Sequence, residues 1–407
     1  MTIPQHRLRR RATSAIAVGA AAAFALAACS TADAEPSTSP AAEEEHGHDE
    51  AGRLALTVDG GVLVLDAETL EPVGDEVSLD GFLRINPAGD GEHAFVTSSN
   101  GFEVLATGAS TGDDPALTGA VFEGDAAGHV VLHEGRTVLF DDATGDFWSF
   151  DTDALTDSDA LPEDVDAYES EAAHHGVAVE LTDGTIVSTL GTEESRTGVR
   201  ILDAEGSETA RNEECPSVHG EGVAADEHVI IGCQDGVLLY ADGEFTKLDS
   251  PDEFGRVGNL YTTHDSSIAF TDYRDDPDAE GSLLHRIGMV DTAAGTWEIL
   301  DLPEGVEYTW QGVERDHHGG LWLIGTDGQL HGFDGETGEL ASSFPVMDAW
   351  EGPAEWQEAH PYLVVEGHTA YVTDPASLEI HAIDIDSGEV LATGTLSAAP
   401  NEMTYAG

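Results

Sequence analysis

The sequence is poor in basic residues, and lysine is almost absent. Lysine and arginine number 15 against 80 aspartates and glutamates, the formal net charge is −65, and Lys247 is the only lysine. A surface this acidic repels phosphate backbones and anionic lipid headgroups, which argues against nucleic-acid binding. Two explanations of the bias stay open: a secreted protein kept soluble in salty surroundings, or a surface that concentrates divalent cations.

Recognisable catalytic motifs are also scarce. The sequence contains no P-loop and no His-Glu-x-x-His pattern. Carboxylate pairs are so common in this chain that none of them is specific. We therefore predict a protein that is not an enzyme.

Long apolar runs are confined to the N-terminus. Residues 7–11 supply four arginines, residues 12–28 are apolar and rich in alanine, and the stretch ends in Leu-Ala-Ala-Cys at Cys29. This order is typical of a secretory signal, and its ending resembles a bacterial lipobox. We predict a lipoprotein signal over 1–29, with Cys29 lipidated and the protein held at the outer face of the cell membrane. The alternative is an ordinary cleaved signal in which Cys29 is incidental.

Residues 30–51 have the composition of a linker. They are rich in Ser, Pro, Ala and Glu, show no apolar periodicity, and end near His46-Gly47-His48. We predict a disordered acidic tether. His46 and His48, beside carboxylates, could capture a divalent ion loosely; a merely solvated linker is the equal alternative.

Only two further cysteines occur, Cys215 and Cys233. An even pair in an exported chain predicts a disulfide. The alternative is a metal site that also uses His219 or His228.

The remainder, 52–407, consists of short apolar runs punctuated by Gly, Asp and Asn. An apolar strand, an aspartate, a glycine turn and a second strand recur with a mean period of about 46 residues, which is typical of propeller blades. We predict an all-β propeller with eight blades, or seven as the alternative. The last strand-like segment should pair with the first one and close the ring, which would hide two sheet edges.

Histidine is frequent in this sequence: its 18 copies outnumber the 15 lysines and arginines together. Counting back ten residues from the second strand of a blade reaches Gly128, Gly176, His219 and His360. His129 lies beside the first of these positions, and His174 and His175 directly precede the second. Four imidazoles are therefore expected around one mouth of the channel, on blades two to four. His360 falls on blade seven. Neutral imidazoles suit Zn²⁺, and Glu171 or Glu221 could complete or orient such a site. The alternative is that these histidines only bond backbone carbonyls. His317 and His318 fall in a predicted hairpin loop, where they are not expected to be ligands, and His368 shows no convergence with other histidines.

Several segments resemble the AztD-type zinc metallochaperones. They are Pro87–Val96, Gly128–Gly145, Ala173–Thr185, Asn212–Glu221, Asp242–Pro251 and Tyr371–Glu402. The resemblance implies an extracytoplasmic propeller that binds zinc and passes it to the solute-binding protein of a zinc ABC transporter. Its ligand-bearing motifs match those with His129, His174, His175 and His219. Residues 106–119, where such proteins carry a histidine-rich loop, contain no histidine here.

Three functions therefore remain to be compared. The first is a monomeric zinc carrier. The second is a propeller enzyme of the lactonase or quinoprotein type, although no motif for a large cofactor is visible. The third is an interaction scaffold that binds no metal, since fold alone does not separate these classes.

Overall fold

The structure is a computed structural model that describes residues 52–407. The predicted signal and tether, with Cys29, His46 and His48, lie outside the described residues. The described chain forms eight antiparallel sheets arranged as the blades of a propeller. The eight-bladed prediction is confirmed, and the seven-bladed alternative is wrong. None of the helices between residues 52 and 407 is long and apolar enough to cross a membrane.

The strands follow one another blade by blade. The chain begins with β1 (Arg53–Val58), β2 (Gly61–Asp66) and β3 (Val77–Ser78). Blade 1 contains β4 (Arg84–Pro87), β5 (His93–Ser98), β6 (Gly101–Ala106) and β7 (Ala116–Glu123). Blade 2 contains β8 (Ala127–His133), β9 (Arg136–Asp141), β10 (Phe147–Asp151) and β11 (Val165–Tyr168). Blade 3 contains β12 (Ala178–Glu180), β13 (Ile186–Gly191), β14 (Arg196–Leu202) and β15 (Glu208–Asn212).

The second half repeats the pattern. Blade 4 contains β16 (His219–Ala224), β17 (His228–Cys233), β18 (Asp235–Ala241), β19 (Glu244–Asp249) and the short β20 (Gly255–Arg256). Blade 5 contains β21 (Leu260–Tyr261), β22 (Ile268–Tyr273), β23 (Arg286–Asp291) and β24 (Thr296–Asp301). Blade 6 contains β25 (Val313–Arg315), β26 (Leu321–Ile324), β27 (Gln329–Phe333) and β28 (Leu340–Pro345). Blade 7 contains β29 (Leu363–Glu366), β30 (Thr369–Asp374), β31 (Glu379–Asp384) and β32 (Val390–Thr395). Short 3₁₀ turns span Thr152–Ala154, Ala225–Glu227 and Trp310–Gly312.

The final strand closes the ring. β33 (Met403–Ala406) pairs antiparallel with β1, so blade 8 combines both ends of the described chain. Just before β33, the carboxylate of Glu402 accepts hydrogen bonds from Arg84 Nε at 2.9 Å and from Gln311 Nε2 at 3.0 Å. The predicted pairing of the terminal strands is confirmed, and Glu402 also links blade 8 to blades 1 and 6.

The recurring aspartates have a local role. Four of them end or directly follow the third strand of their blade, and each accepts the amide hydrogen of the residue three positions on, at 2.8 to 3.0 Å: Asp66, Asp291, Asp334 and Asp384. Such side-chain turns compete well with further strand pairing, so they end the strand at a fixed place. This chemistry explains the period of the sequence.

The apolar core lies between the blades. The largest cluster of buried residues runs across blades 2, 3 and 4 and includes Phe140, Ile186, Val229 and both cysteines. In blades 1 to 7 the strand named first above lines the channel, and in blade 8 it is β33. We call the end of the channel where these innermost strands begin the first mouth, and the end where they finish the second mouth. In blades 1 to 7, the hairpins between each blade's first and second strands lie at the second mouth.

Candidate metal centre

Three histidines meet at the first mouth. His129 of blade 2, His175 before blade 3 and His219 of blade 4 bring one ligand nitrogen each into a group whose members lie within 4.8 Å of one another. Their ring centroids are 5.0 to 5.5 Å apart. We call these three residues the metal centre.

Irregular backbone places two of the rings. The pairing of β8 with β9 shifts register between Ala127 and Val130, around His129, and the pairing of β16 with β17 shifts between His219 and Glu221. Such bulges redirect a side chain that regular pleating would point elsewhere. Gly220 makes the second bulge possible, because its φ is +62° and a Cβ there would collide with the carbonyl oxygen of Gly258.

Hydrogen bonds fix which nitrogen faces the centre. His175 Nδ1 donates to Asp142 Oδ2 at 2.6 Å, and His219 Nδ1 donates to the carbonyl oxygen of Gly258 at 2.6 Å. Both rings therefore present Nε2. Metal-bound histidines in proteins are held by the same carboxylate and carbonyl partners. The Nε2 atoms of His129 and His175 are 3.4 Å apart, close to the separation of roughly 3.3 Å between two nitrogens that bind one tetrahedral Zn²⁺ at about 2.0–2.1 Å.

The electrostatic setting keeps the imidazoles of His129 and His219 neutral. Burial, with the charges of His219 and His175 adding to it, holds the pKa of His129 well below its ordinary value. Burial lowers the pKa of His219 to about 3, and His175 contributes. A neutral imidazole has a free lone pair for a metal ion, so these two ligands need lose no proton near neutral pH.

Not every predicted ligand reaches this group. His174 is buried beneath it, where Nδ1 donates to the carbonyl oxygen of Ala172 at 2.8 Å and Nε2 lies 3.2 Å from two oxygens of Thr189. Both ring nitrogens are thus occupied, so His174 has a structural position and His175 is the one that faces the channel. His360 is buried on blade 7, with Nδ1 donating to the carbonyl oxygen of Glu358 at 2.7 Å, and lies outside the group.

The two predicted carboxylates also lie elsewhere. Glu171 pairs with Arg211 at 2.8 Å on the surface. Glu221 lines a cavity of about 310 Å³ beside His129, together with Tyr261 and Tyr362; burial raises its pKa to about 7. Neither belongs to the group of converging ligand atoms in the described chain. The carboxylate that orients the centre is Asp142, which sequence reasoning missed.

The predicted disulfide is present between Cys215 and Cys233. Both cysteines are fully buried. The bridge encloses the segment that carries His219, so the cysteines are not free to ligate a metal, and the alternative Cys–His site is wrong.

A Gly-x-Ser-x-Gly pattern occurs at Gly108–Gly112. It lies in a turn between β6 and β7, whereas a nucleophile elbow joins a strand to a helix. Ser110 is exposed and, in the part of the chain that the structure describes, bonds to no histidine. The pattern therefore gives no hydrolase site.

The chain is similar to proteins of known structure. No protein-family model matches the sequence. The zinc chaperone AztD of Citrobacter koseri is 23% identical over 286 residues, which cover 68% of this chain and 64% of the relative, so the match spans less than two thirds of that protein. A crystal structure of apo AztD from Citrobacter koseri superposes with a TM-score of 0.72 at 21% identity and covers 87% of this chain and 98% of that one.

A second crystal structure of Citrobacter koseri AztD gives the same TM-score of 0.72 at 20% identity, with 87% and 97% of the two chains covered. Sqt1 of Saccharomyces cerevisiae is more distant, with a TM-score of 0.53, 11% identity, and coverage of 79% of this chain and 90% of that one. The chain is thus similar to the AztD-type zinc chaperones both in sequence and in its propeller fold.

Proposed function

We propose that the protein is an extracytoplasmic zinc carrier, anchored by Cys29, that delivers Zn²⁺ to the solute-binding protein of a zinc ABC transporter. The observation that carries the proposal is the convergence of three oriented imidazoles, from three blades, at the first mouth. The similarity to a protein named as a zinc chaperone supports the same function. In this proposal the protein acts as a monomer and catalyses no reaction.

The geometry suits a carrier better than a permanent structural site. Structural zinc is enclosed by four protein ligands, whereas three ligands leave one coordination position open. The His175 side chain is 39% exposed, so an incoming donor can reach the ion from the mouth. A partner ligand can then bind before a histidine leaves, and the ion passes over without entering water as a free species.

The acidic surface contributes to the approach of the cargo. A net charge of −65 raises the local concentration of divalent cations, and it also attracts a partner with a basic rim. Both effects weaken as ionic strength rises.

The first experiment measures zinc binding to the purified, chelator-stripped protein. The double change His175→Ala with His219→Ala should abolish tight binding while the far-ultraviolet spectrum and melting temperature change little. His264→Ala is the matched control, because that side chain is 72% exposed and lies away from the metal centre. Tight binding that survives the double change would contradict the assignment of the ligands.

The second experiment tests delivery. Zinc-loaded protein is mixed with an apo zinc-transporter solute-binding protein in the presence of a competing chelator. Transfer faster than the spontaneous release of zinc to the chelator is expected, since the partner takes the ion directly. Transfer limited by that release would leave a zinc-binding propeller that is not a chaperone.

A further inference from the structure

A second group of histidines lies at the second mouth, away from the metal centre. His317 and His318 occupy the hairpin between β25 and β26, and His368 occupies the hairpin between β29 and β30 of the next blade. Their ligand nitrogens lie within 4.8 Å of one another, and all three residues are exposed. We propose that His317, His318 and His368 form a surface site for a divalent transition-metal ion of the Zn²⁺ class.

Hydrogen bonds orient two of the rings. His317 Nδ1 donates to the carbonyl oxygen of Gly367 at 2.9 Å, and His368 Nδ1 donates to Asp386 Oδ2 at 2.9 Å. Each ring therefore keeps Nε2 for a ligand. The metal centre uses the same pair of partners, a backbone carbonyl for His219 and a carboxylate for His175. A chance cluster of surface histidines gives no reason for both Nδ1 atoms to be engaged in this way, whereas a metal site does.

The hairpin that carries two of the histidines is firmly held. The carboxylate of Asp316 accepts the amide hydrogens of His318 and Gly320, both at 2.8 Å, and the indole hydrogen of Trp322 at 2.7 Å. Asp316 and Trp322 are buried. The backbone between the two strands is thus fixed before any ion binds, and only side-chain freedom is lost on binding.

The short distances between the rings fit a shared ligand. The ring centroids of His317 and His318 are 3.8 Å apart, and that of His368 is 4.7 Å from His317. Imidazole suits Zn²⁺, Cu²⁺ and Ni²⁺ better than Ca²⁺ or Mg²⁺. Because the rings are exposed, water fills the remaining positions, so we infer binding that is weaker and exchanges faster than at the metal centre.

This inference does not depend on the proposed function, since it uses different residues at the opposite end of the channel. The test measures zinc stoichiometry calorimetrically on the full chain, with His46→Ala and His48→Ala introduced to exclude the tether. That background should bind two zinc ions. Adding His317→Ala with His368→Ala should remove the weaker equivalent alone, and adding His175→Ala with His219→Ala should remove the tighter one alone.

The control for the surface pair is His264→Ala, an exposed histidine in the corresponding hairpin of blade 5, which should leave both equivalents in place. The surface site is overturned if the variant lacking His317 and His368 keeps every zinc equivalent of its background. Loss of the tighter equivalent in that variant would overturn it as well. If instead the metal centre does not bind zinc, the calorimetry gives a different result: the background protein binds the weaker zinc equivalent and no tighter one.

Discussion

Replacement of Asp142 by asparagine tests whether the metal centre is preorganised by its hydrogen bonds. Asp142 Oδ2 accepts from His175 Nδ1 at 2.6 Å, and Oδ1 accepts from the amide of Gly176 at 3.3 Å. Asparagine keeps the shape but removes the charge that fixes the tautomer and makes Nε2 more basic. Loss of such a partner typically costs 10- to 100-fold in metal affinity, which is about 1.4–2.7 kcal/mol of binding free energy.

The assay is competition for Zn²⁺ against a chromophoric chelator at fixed pH and ionic strength. Asp146→Asn is the matched control: it removes one charge from the same hairpin, where Asp146 accepts from the amide of Ser170 at 2.7 Å and does not bond to His175. The general field of the protein changes equally in both variants. If the two bind zinc with equal affinity, or if Asp142→Asn stays within about twofold of the parent, the reasoning is refuted.

Three further predictions concern the surroundings of the same site. His174→Ala should keep the zinc stoichiometry but lower the free energy of unfolding by roughly 1–3 kcal/mol, as chemical denaturation would measure, because buried hydrogen-bonding groups lose a partner. Calorimetry at pH 6 in buffers of different ionisation enthalpy should show at most one proton released per zinc ion bound at the metal centre, because burial keeps His129 and His219 unprotonated. Three ordinary imidazoles would release about two protons. The zinc affinity should then fall by no more than tenfold for each unit by which the pH decreases. The change of Cys215 and Cys233 to serine should cost roughly 3 kcal/mol of stability and weaken zinc binding, seen by denaturation and titration, since the bridge spans the segment of His219.

Much of the fold could be predicted because it depends on residues that lie close together in the sequence. Aspartates and glycines recur at the turns of most blades, and in blades 1 to 6 the second strand begins eight or nine residues after the first. Counting back from the second strand therefore identified Arg84 and His219, which begin β4 and β16. The closing strand was recognisable because a lone strand at one end of the sequence matched an incomplete blade at the other.

The site was predictable only in outline. Register brought His129, His175 and His219 to one mouth, but it could not separate His175 from His174, since one residue decides which ring faces the channel. The bulges at His129 and His219 depend on strand partners that no local pattern reveals. Asp142 belongs to blade 2 yet orients a histidine of blade 3. Contacts between blades are set by the packing of the ring rather than by the sequence near either residue.

The same dependence between blades bears on how a carrier of this kind would hold and release its ion. The three proposed ligands come from three successive blades that share one continuous apolar cluster, and the packing of these blades fixes the separation of the ligands without a metal. A site assembled in this way has little folding energy to gain from zinc, in contrast to a small zinc-dependent domain. On the proposed function, zinc would therefore leave without unfolding the protein, and its affinity would be set by the orientation of the imidazoles and the open fourth position. Those are the two features that a docking partner could alter from the mouth.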